Sequence, residues 1–318
     1  MLRRMGADRL LAALIRRCCR ALLALCDRCQ ACSGLLPPGA CGPVCPACAD
    51  LLRPRLGGYC PRCGEIAADP DAPPFLCDAC RLSGRPWEGF AFHGPYDGLL
   101  REMILGFKFH GRLGQGRVLA GLARDAYRRA ASRTGEGAMD PDGPGGIVPV
   151  PLHPRRLAWR GFNQSLELAR LLAADLDRPI LPGALRRIRD TTPQSQLPGA
   201  RRRDNIAGAF LADPAQVAGR SVLLVDDVMT TGATIDTAAD ALCAAGAARV
   251  DVLVVARQPS GKSRENLYKG GDDKERVWPP CGFPAPTTPC GTRTPSFTKC
   301  TSRRSWTATA TASAISRA

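Results

Sequence analysis

Two groups of residues in this chain have the types and spacing that chemistry needs. The first is a run in which Val222, Leu223, Leu224 and Val225 lead into Asp226 and Asp227, followed by Val228, Met229, Thr230, Thr231, Gly232, Ala233 and Thr234. It reads as a buried strand ending in two carboxylates, with a Thr/Gly turn that opens a helix. At the carboxyl end of a parallel strand such a turn presents backbone N–H groups and hydroxyls to a phosphate, and the helix adds the positive end of its dipole. Gly232 lets the backbone approach closely. The two carboxylates can hold vicinal ribose hydroxyls or, through water, a magnesium ion. An ordinary strand end before a Thr-capped helix would explain Asp-Asp alone, but not the complete thirteen-residue pattern.

The second group is made of cysteines. Twelve of the sixteen fall within residues 18–80, and four C-x2-C pairs stand in register there: Cys29/Cys32, Cys45/Cys48, Cys60/Cys63 and Cys77/Cys80. The first and third pairs are 31 residues apart and the second and fourth 32, so a C-x2-C-x12/13-C-x2-C unit is duplicated. Each knuckle aims two thiolates at one point, and two knuckles complete the tetrahedral sulfur set of a structural zinc site. A disulfide framework is disfavoured without a secretion signal, and a redox dithiol needs only one pair. Spacing leaves open whether each repeat holds its own ion or the two exchange knuckles. Cys18, Cys19, Cys26 and Cys41 fall outside the register and read as spare thiols.

The elements that must position these groups follow from periodicity. Ile147, Val148, Pro149 and Val150 read as a short strand, and Phe162, Leu166, Ala169, Ala173 and Leu176 then recur at helical spacing. After the strand over residues 221–225, Ile235, Ala238, Ala239 and Leu242 form one helix face, Gly246 stops that helix, and residues 249–256 are another apolar strand. Strand, helix, strand at this spacing implies a parallel α/β sheet. With five Gly and two Pro, residues 132–146 read as a surface loop. The 318 residues suffice for about two domains, and with only 5% aromatics the core must be aliphatic.

The net charge of +15 favours polyanionic ligands, but +6 of it lies in the last 61 residues. That tail has three branched aliphatics and seven prolines, too little to build a core, so disorder is expected over residues 258–318. It holds four of the five lysines of the chain, while the body uses arginine and Lys108 alone; the switch points to a different origin, a read-through or shifted frame. No stretch reaches the ~18 apolar residues of a membrane span, and Arg16, Arg17 and Arg20 break the N-terminal apolar stretch before it forms a signal core. Residues 1–25 read as a basic amphipathic segment, and no stable membrane insertion is expected. Dense basic clusters, Arg186, Arg187 and Arg189 with Arg201, Arg202 and Arg203, could steer phosphates or a DNA backbone or be a solvated face.

The run over residues 222–234 closely resembles the ribose-5-phosphate-binding motif of type I phosphoribosyltransferases. Together with the cysteine repeats, Phe107-Lys108-Phe109, the sequence IVPVPLHPRRLAWRGFN from Ile147 to Asn163, and Arg201-Arg202-Arg203-Asp204-Asn205, the chain resembles the ComF (GntX-like) family of bacterial competence proteins over residues 26–257. The resemblance implies that Asp226 and Asp227 bind the ribose hydroxyls of phosphoribosyl pyrophosphate and act in catalysis. It also implies that Thr230, Thr231, Gly232, Ala233 and Thr234 wrap the 5′-phosphate. The segment from Val150 to Arg156 would correspond to the pyrophosphate loop, with Arg155 and Arg156 as contacts. In that transfer, pyrophosphate leaves C1 as an oxocarbenium-like cation forms, so alignment and electrostatics dominate and magnesium neutralises the leaving group.

The expected architecture is thus a double zinc ribbon over residues 26–82 and a type I phosphoribosyltransferase-like parallel sheet flanked by helices over residues 83–257. The expected function is magnesium-dependent phosphoribosyl transfer or phosphoribosyl pyrophosphate binding in a cytoplasmic bacterial protein. By resemblance it is linked to DNA uptake in natural transformation, with single-stranded DNA and the competence or helicase machinery as partners. A rival reading is a non-enzymatic, single-stranded-DNA-binding competence factor that uses the transferase pocket as a ligand sensor. A third is nucleobase salvage, for which no base pocket is legible. Few aromatics stand near the basic clusters, so sequence lends base stacking little support.

Overall fold

The computed structural model describes residues 28–37, 39–40, 42–189 and 208–259. The segment over residues 1–25, the thiols Cys18, Cys19, Cys26 and Cys41, the Arg201, Arg202 and Arg203 cluster and the tail from residue 260 lie outside the described residues. The chain divides into Met1–Trp278 and Pro279–Ala318, and everything described belongs to the first unit.

Four strands form a parallel sheet in the order β1 (Gly89–Pro95), β6 (Arg249–Arg257), β5 (Ser221–Met229), β2 (Gly146–Pro149). β5 and β6 read as continuous apolar runs because both lie inside the sheet with helices on either face. A short antiparallel pair, β3 (Leu185–Arg187) with β4 (Phe210–Ala212), stands apart from it. In chain order the helices are α1 (Pro46–Leu51), α2 (Asp78–Leu82), α3 (Gly98–Phe109), α4 (Leu113–Ala131), α5 (Pro154–Arg160), α6 (Gln164–Leu176), α7 (Pro214–Val217) and α8 (Ala233–Ala244). α8 carries the chain from β5 to β6, the crossover that parallel neighbours require. It buries Ile235, Ala238, Ala239 and Leu242, the face that periodicity picks out. α4 packs on β1, and α6 on β2 and β5.

Two differences from the sequence reading bear on the site. β5 continues past Val225 to Met229, because its ladder with β6 runs on through Asp226↔Val254 and Met229↔Arg257; Asp226 and Asp227 therefore sit within the strand rather than after it. On α6 the buried stripe is Gln164, Ser165, Leu168, Ala169 and Leu172, which shares only Ala169 with the predicted Phe162, Leu166, Ala169, Ala173, Leu176 face; the helix begins only at Gln164, capped by the Asn163 side chain, so Phe162 lies before it. That phase turns Ser165 toward β5.

The second cysteine repeat packs into the core rather than standing off it. Tyr59, Cys60, Cys63, Ile66 and Cys80 share one apolar cluster with Phe90, Phe92, Val222, Val252 and the α8 face. Trp87 Nε1 donates to the Arg62 carbonyl at 2.8 Å, and Arg133 reaches both the Tyr59 hydroxyl and the Phe90 carbonyl. A cysteine segment too small to hold a core alone thus borrows that of the sheet.

Candidate functional site

A cleft of about 330 Å³ opens at the carboxyl ends of β5 and β2. From the sequence-predicted set, Asp226, Asp227, Thr230, Gly232, Thr234 and Arg156 line it. Thr231 points its hydroxyl back to the Ala233 N–H, and Ala233 is buried behind the loop. Arg155 is not among the lining residues; its N–H donates to Nδ1 of His153, which caps α5. Gly232 has φ +89°, and a Cβ there would stand 2.7 Å from the Met229 methyl, so the turn into α8 requires glycine. The positive end of the twelve-residue α8 faces the cleft.

Packing supplies groups that the motif does not announce. Lys108, at the end of α3, places Nζ 2.7 Å from Oδ2 of Asp227, whose carboxylate is almost wholly buried. Ser165 Oγ donates to Asp226 Oδ1 at 2.7 Å, and the Asp227 N–H donates to the same oxygen at 2.9 Å. Burial and the adjacent Asp227 charge still push the Asp226 carboxyl up to about 7, against the pull of Lys108 and these two donors. Arg160 lines the cleft as well, giving a hydrogen bond to Gln164 Oε1 at 2.6 Å; burial lowers its pKa, opposed by the Asp227 charge. Arg187 also lines the cleft, its guanidinium 5.4 Å from the Phe210 ring centroid. Of these, Lys108 left a sequence signal as the single lysine of the body, and Arg187 as part of the basic cluster with Arg186 and Arg189. Arg160 and Ser165 left none, because only the α5–α6 turn brings them to β5.

Beside Arg160 two aromatics 50 positions apart in sequence come together. Phe109 and Trp159 have ring centroids 6.4 Å apart, Arg160 lies 4.9 Å over the Phe109 ring, and Trp159 is 76% exposed. α5 buries none of its residues. No carboxylate occurs from Met103 to Arg124 or from Val150 to Leu166.

The eight cysteines in register form two quartets, Cys29/Cys32/Cys45/Cys48 and Cys60/Cys63/Cys77/Cys80, with the sulfurs of each within 4.8 Å of one another. Each repeat therefore gathers its own sulfur set, and the exchange of knuckles is excluded. None of the eight is in a disulfide, and the Cys32–Cys45 and Cys63–Cys77 sulfurs lie 3.9 and 3.5 Å apart. A tetrahedral ion with ~2.3 Å bonds needs sulfurs about 3.8 Å apart, so both quartets fit a metal ion. The duplication extends to the backbone: Ser33 N–H to Cys29 O and Cys29 N–H to Gly34 O recur as Gly64 N–H to Cys60 O and Cys60 N–H to Glu65 O. Cys45 and Cys77 each cap the short helix that carries the last ligand.

Residues 163–281 match the phosphoribosyl transferase domain family. The chain is 34% identical over 215 residues to the DNA utilization protein YhgH of Salmonella typhimurium, covering 67% of this chain and 90% of that one. It is 31% identical over 232 residues to competence protein F of Haemophilus influenzae, covering 72% and 96%. The chain belongs to the ComF family. Another ComF relative, competence protein ComFC of Bacillus subtilis, is 28% identical over 213 residues, covering 64% and 80%. The α/β phosphoribosyltransferase-type fold of this ComF chain agrees with the resemblance read from its motifs. Among the described residues no helix is long and apolar enough to cross a membrane.

Proposed function

We propose that the cleft binds phosphoribosyl pyrophosphate with magnesium and that the protein uses this ligand in handling DNA during uptake, acting in the cytoplasm. One arrangement carries the reading: two carboxylates in the last half of a central parallel strand, followed by a Gly232-centred turn and the positive end of α8, share one cleft with Arg156 and Arg160. In this reading Asp226 and Asp227 accept from the ribose hydroxyls, residues 230–234 hold the 5′-phosphate, and Arg156 and Arg160 meet the pyrophosphate. Ser165 and Lys108 fix the orientation of the two carboxylates before the ligand arrives. Burial and the adjacent Asp227 charge raise the Asp226 pKa, and a divalent cation would favour the ionised form against both, so the pair fits magnesium, which when bound would neutralise the leaving pyrophosphate. Zinc is the ion proposed for the two quartets, since a closed set of four thiolates is its structural site. Thiolate ligands need the reduced state that the cytoplasm maintains.

The names of the relatives, DNA utilization protein and competence protein, support the role in DNA uptake. A specific observation favours contact with single-stranded DNA, the property on which the non-enzymatic alternative rests. The exposed Trp159 and Phe109, flanked by arginines and free of nearby carboxylates in sequence, offer bases a stacking surface and the backbone cations.

Titration calorimetry with phosphoribosyl pyrophosphate and magnesium tests the first part. At ~1.5–3 kcal/mol per charged hydrogen bond, Asp226→Asn with Asp227→Asn should weaken binding at least tenfold. Wild-type affinity in the folded double variant would place the ligand elsewhere. Pyrophosphate release with candidate acceptors marks transfer, whereas binding without release marks a sensor. For DNA, Trp159→Ala should weaken binding of a thymidine oligonucleotide about tenfold; equal affinity would remove the stacking surface from the reading.

A further inference from the structure

The loop between β5 and α8 is held from outside the cleft by two arginines that do not line it, and both lead to the second cysteine quartet. Arg257, the last residue of β6, is 3% exposed. Its Nε donates to the Cys63 carbonyl at 3.0 Å and Nη2 to Glu65 Oε2 at 2.8 Å, so one edge of the guanidinium grips the knuckle. From the other side Nη1 donates to the carbonyls of Met229, Thr230 and Gln258, which fixes the start of the loop. Arg85 makes a second bridge. Its Nη1 lies 3.0 Å from both carboxylate oxygens of Asp236, in the first turn of α8. Trp87 stacks under Arg85 and reaches the Arg62 carbonyl inside the same knuckle.

The knuckle therefore reaches the loop through the planar fork of Arg257, which transmits position in a way a flexible lysine would not, and through the stacked Arg85. Convergence of the four sulfurs sets the path of residues 60–64, and hence where the Cys63 carbonyl and Glu65 meet Arg257. Both bridges start from the second repeat.

We propose that Arg257 and Arg85 are positioning residues through which metal in the Cys60/Cys63/Cys77/Cys80 quartet sets the geometry of the phosphate loop, so that metal and cleft ligand bind cooperatively. The ligand half rests on the phosphoribosyl pyrophosphate reading; the loop half does not. Coupling of this kind is reciprocal: whatever factor the metal adds to ligand affinity, the ligand adds to metal retention.

The test uses the full chain with zinc loaded. Arg257→Gln and Arg85→Gln should each retain two zinc ions, weaken phosphoribosyl pyrophosphate about tenfold, and raise amide exchange over residues 229–236. Arg85→Lys, which keeps the charge toward Asp236, should recover more than Arg257→Lys, which loses the fork. Cys77→Ser should lose one zinc and at least tenfold more ligand affinity than Cys32→Ser, which also loses one, and combining Cys77→Ser with Arg257→Gln should add little further. Ligand with magnesium should slow zinc release to a chelator from one site of the two. Wild-type affinity and loop exchange in folded Arg257→Gln and Arg85→Gln would overturn the proposal, as would equal effects of Cys32→Ser and Cys77→Ser. If Arg257→Gln does not fold, the partly exposed Arg85 and the two cysteine variants decide. If the wild type binds no phosphoribosyl pyrophosphate, the functional reading fails alone, and loop exchange measured without ligand still decides the coupling.

Discussion

Replacing Lys108 with Met keeps the volume of the side chain and removes the cation 2.7 Å from Asp227. The Asp227 side chain is 3% exposed and that of Lys108 16%, so water replaces little of the lost interaction. Removing one member of a buried pair costs ~3–5 kcal/mol; because Lys108 is not fully buried, the low end, about 3 kcal/mol, is expected at pH 8. Two adjacent carboxylates can escape part of this cost by sharing a proton, and Asp226 is already raised to about 7. At pH 5 Asp226 already holds its proton, so the carboxylates repel less and the loss should shrink to about 1 kcal/mol. At roughly 2–4 °C per kcal/mol for a chain of this size, Tm should fall by roughly 6–12 °C at pH 8 and 2–4 °C at pH 5. Thermal denaturation at the two pH values measures this. An equal fall at both, or a fall that persists unchanged when Asp227→Asn is added to Lys108→Met, would refute the role of charge at this pair.

The same carboxyl predicts a pH profile. Since an ionised Asp226 would accept from ribose hydroxyls more strongly than a protonated one, ligand affinity by calorimetry should rise with pH through about 7, and Asp227→Asn should move the inflection down by removing the like charge. A raised carboxyl pKa means that the folded state binds the proton more tightly than the unfolded chain. Its contribution to stability is thus greatest below the ordinary carboxylate range and is lost as pH rises through about 7, a slope in urea unfolding that Asp226→Asn should flatten. Metal analysis of reduced protein should find two zinc ions per chain, and Cys60→Ser should lower Tm more than Cys29→Ser, because Cys60 is part of the sheet core. Gly64→Ala should destabilise by about 1–3 kcal/mol in denaturant, since φ is +67° and a Cβ would stand 2.5 Å from the Phe90 ring. Ser33→Gly, at the matching left-handed position of the first repeat, should be neutral or mildly stabilising.

Local chemistry with fixed spacing was legible in the chain itself. The 31- and 32-residue offsets of the C-x2-C pairs already required a duplicated sulfur site, because a knuckle is a local turn whose hydrogen bonds span only five residues. The β5–turn–α8 segment was equally legible, since a parallel strand, a glycine turn and a crossover helix are contiguous in sequence. Which knuckles share an ion was open, because both pairings satisfy the spacing and only the packing of Tyr59, Ile66 and Cys80 against Phe90 and Phe92 separates them. Where β5 ends was decided by its neighbour, as the ladder to β6 carries Asp226 and Asp227 inside the strand. Lys108, Ser165, Arg160 and the Phe109–Trp159 pair join the site from helices distant along the chain, and Arg257 ties the loop to Cys63 and Glu65 across more than 190 positions. Contacts of that range leave no period or spacing in a single sequence; they exist only once burial of the sheet has fixed where each helix must lie.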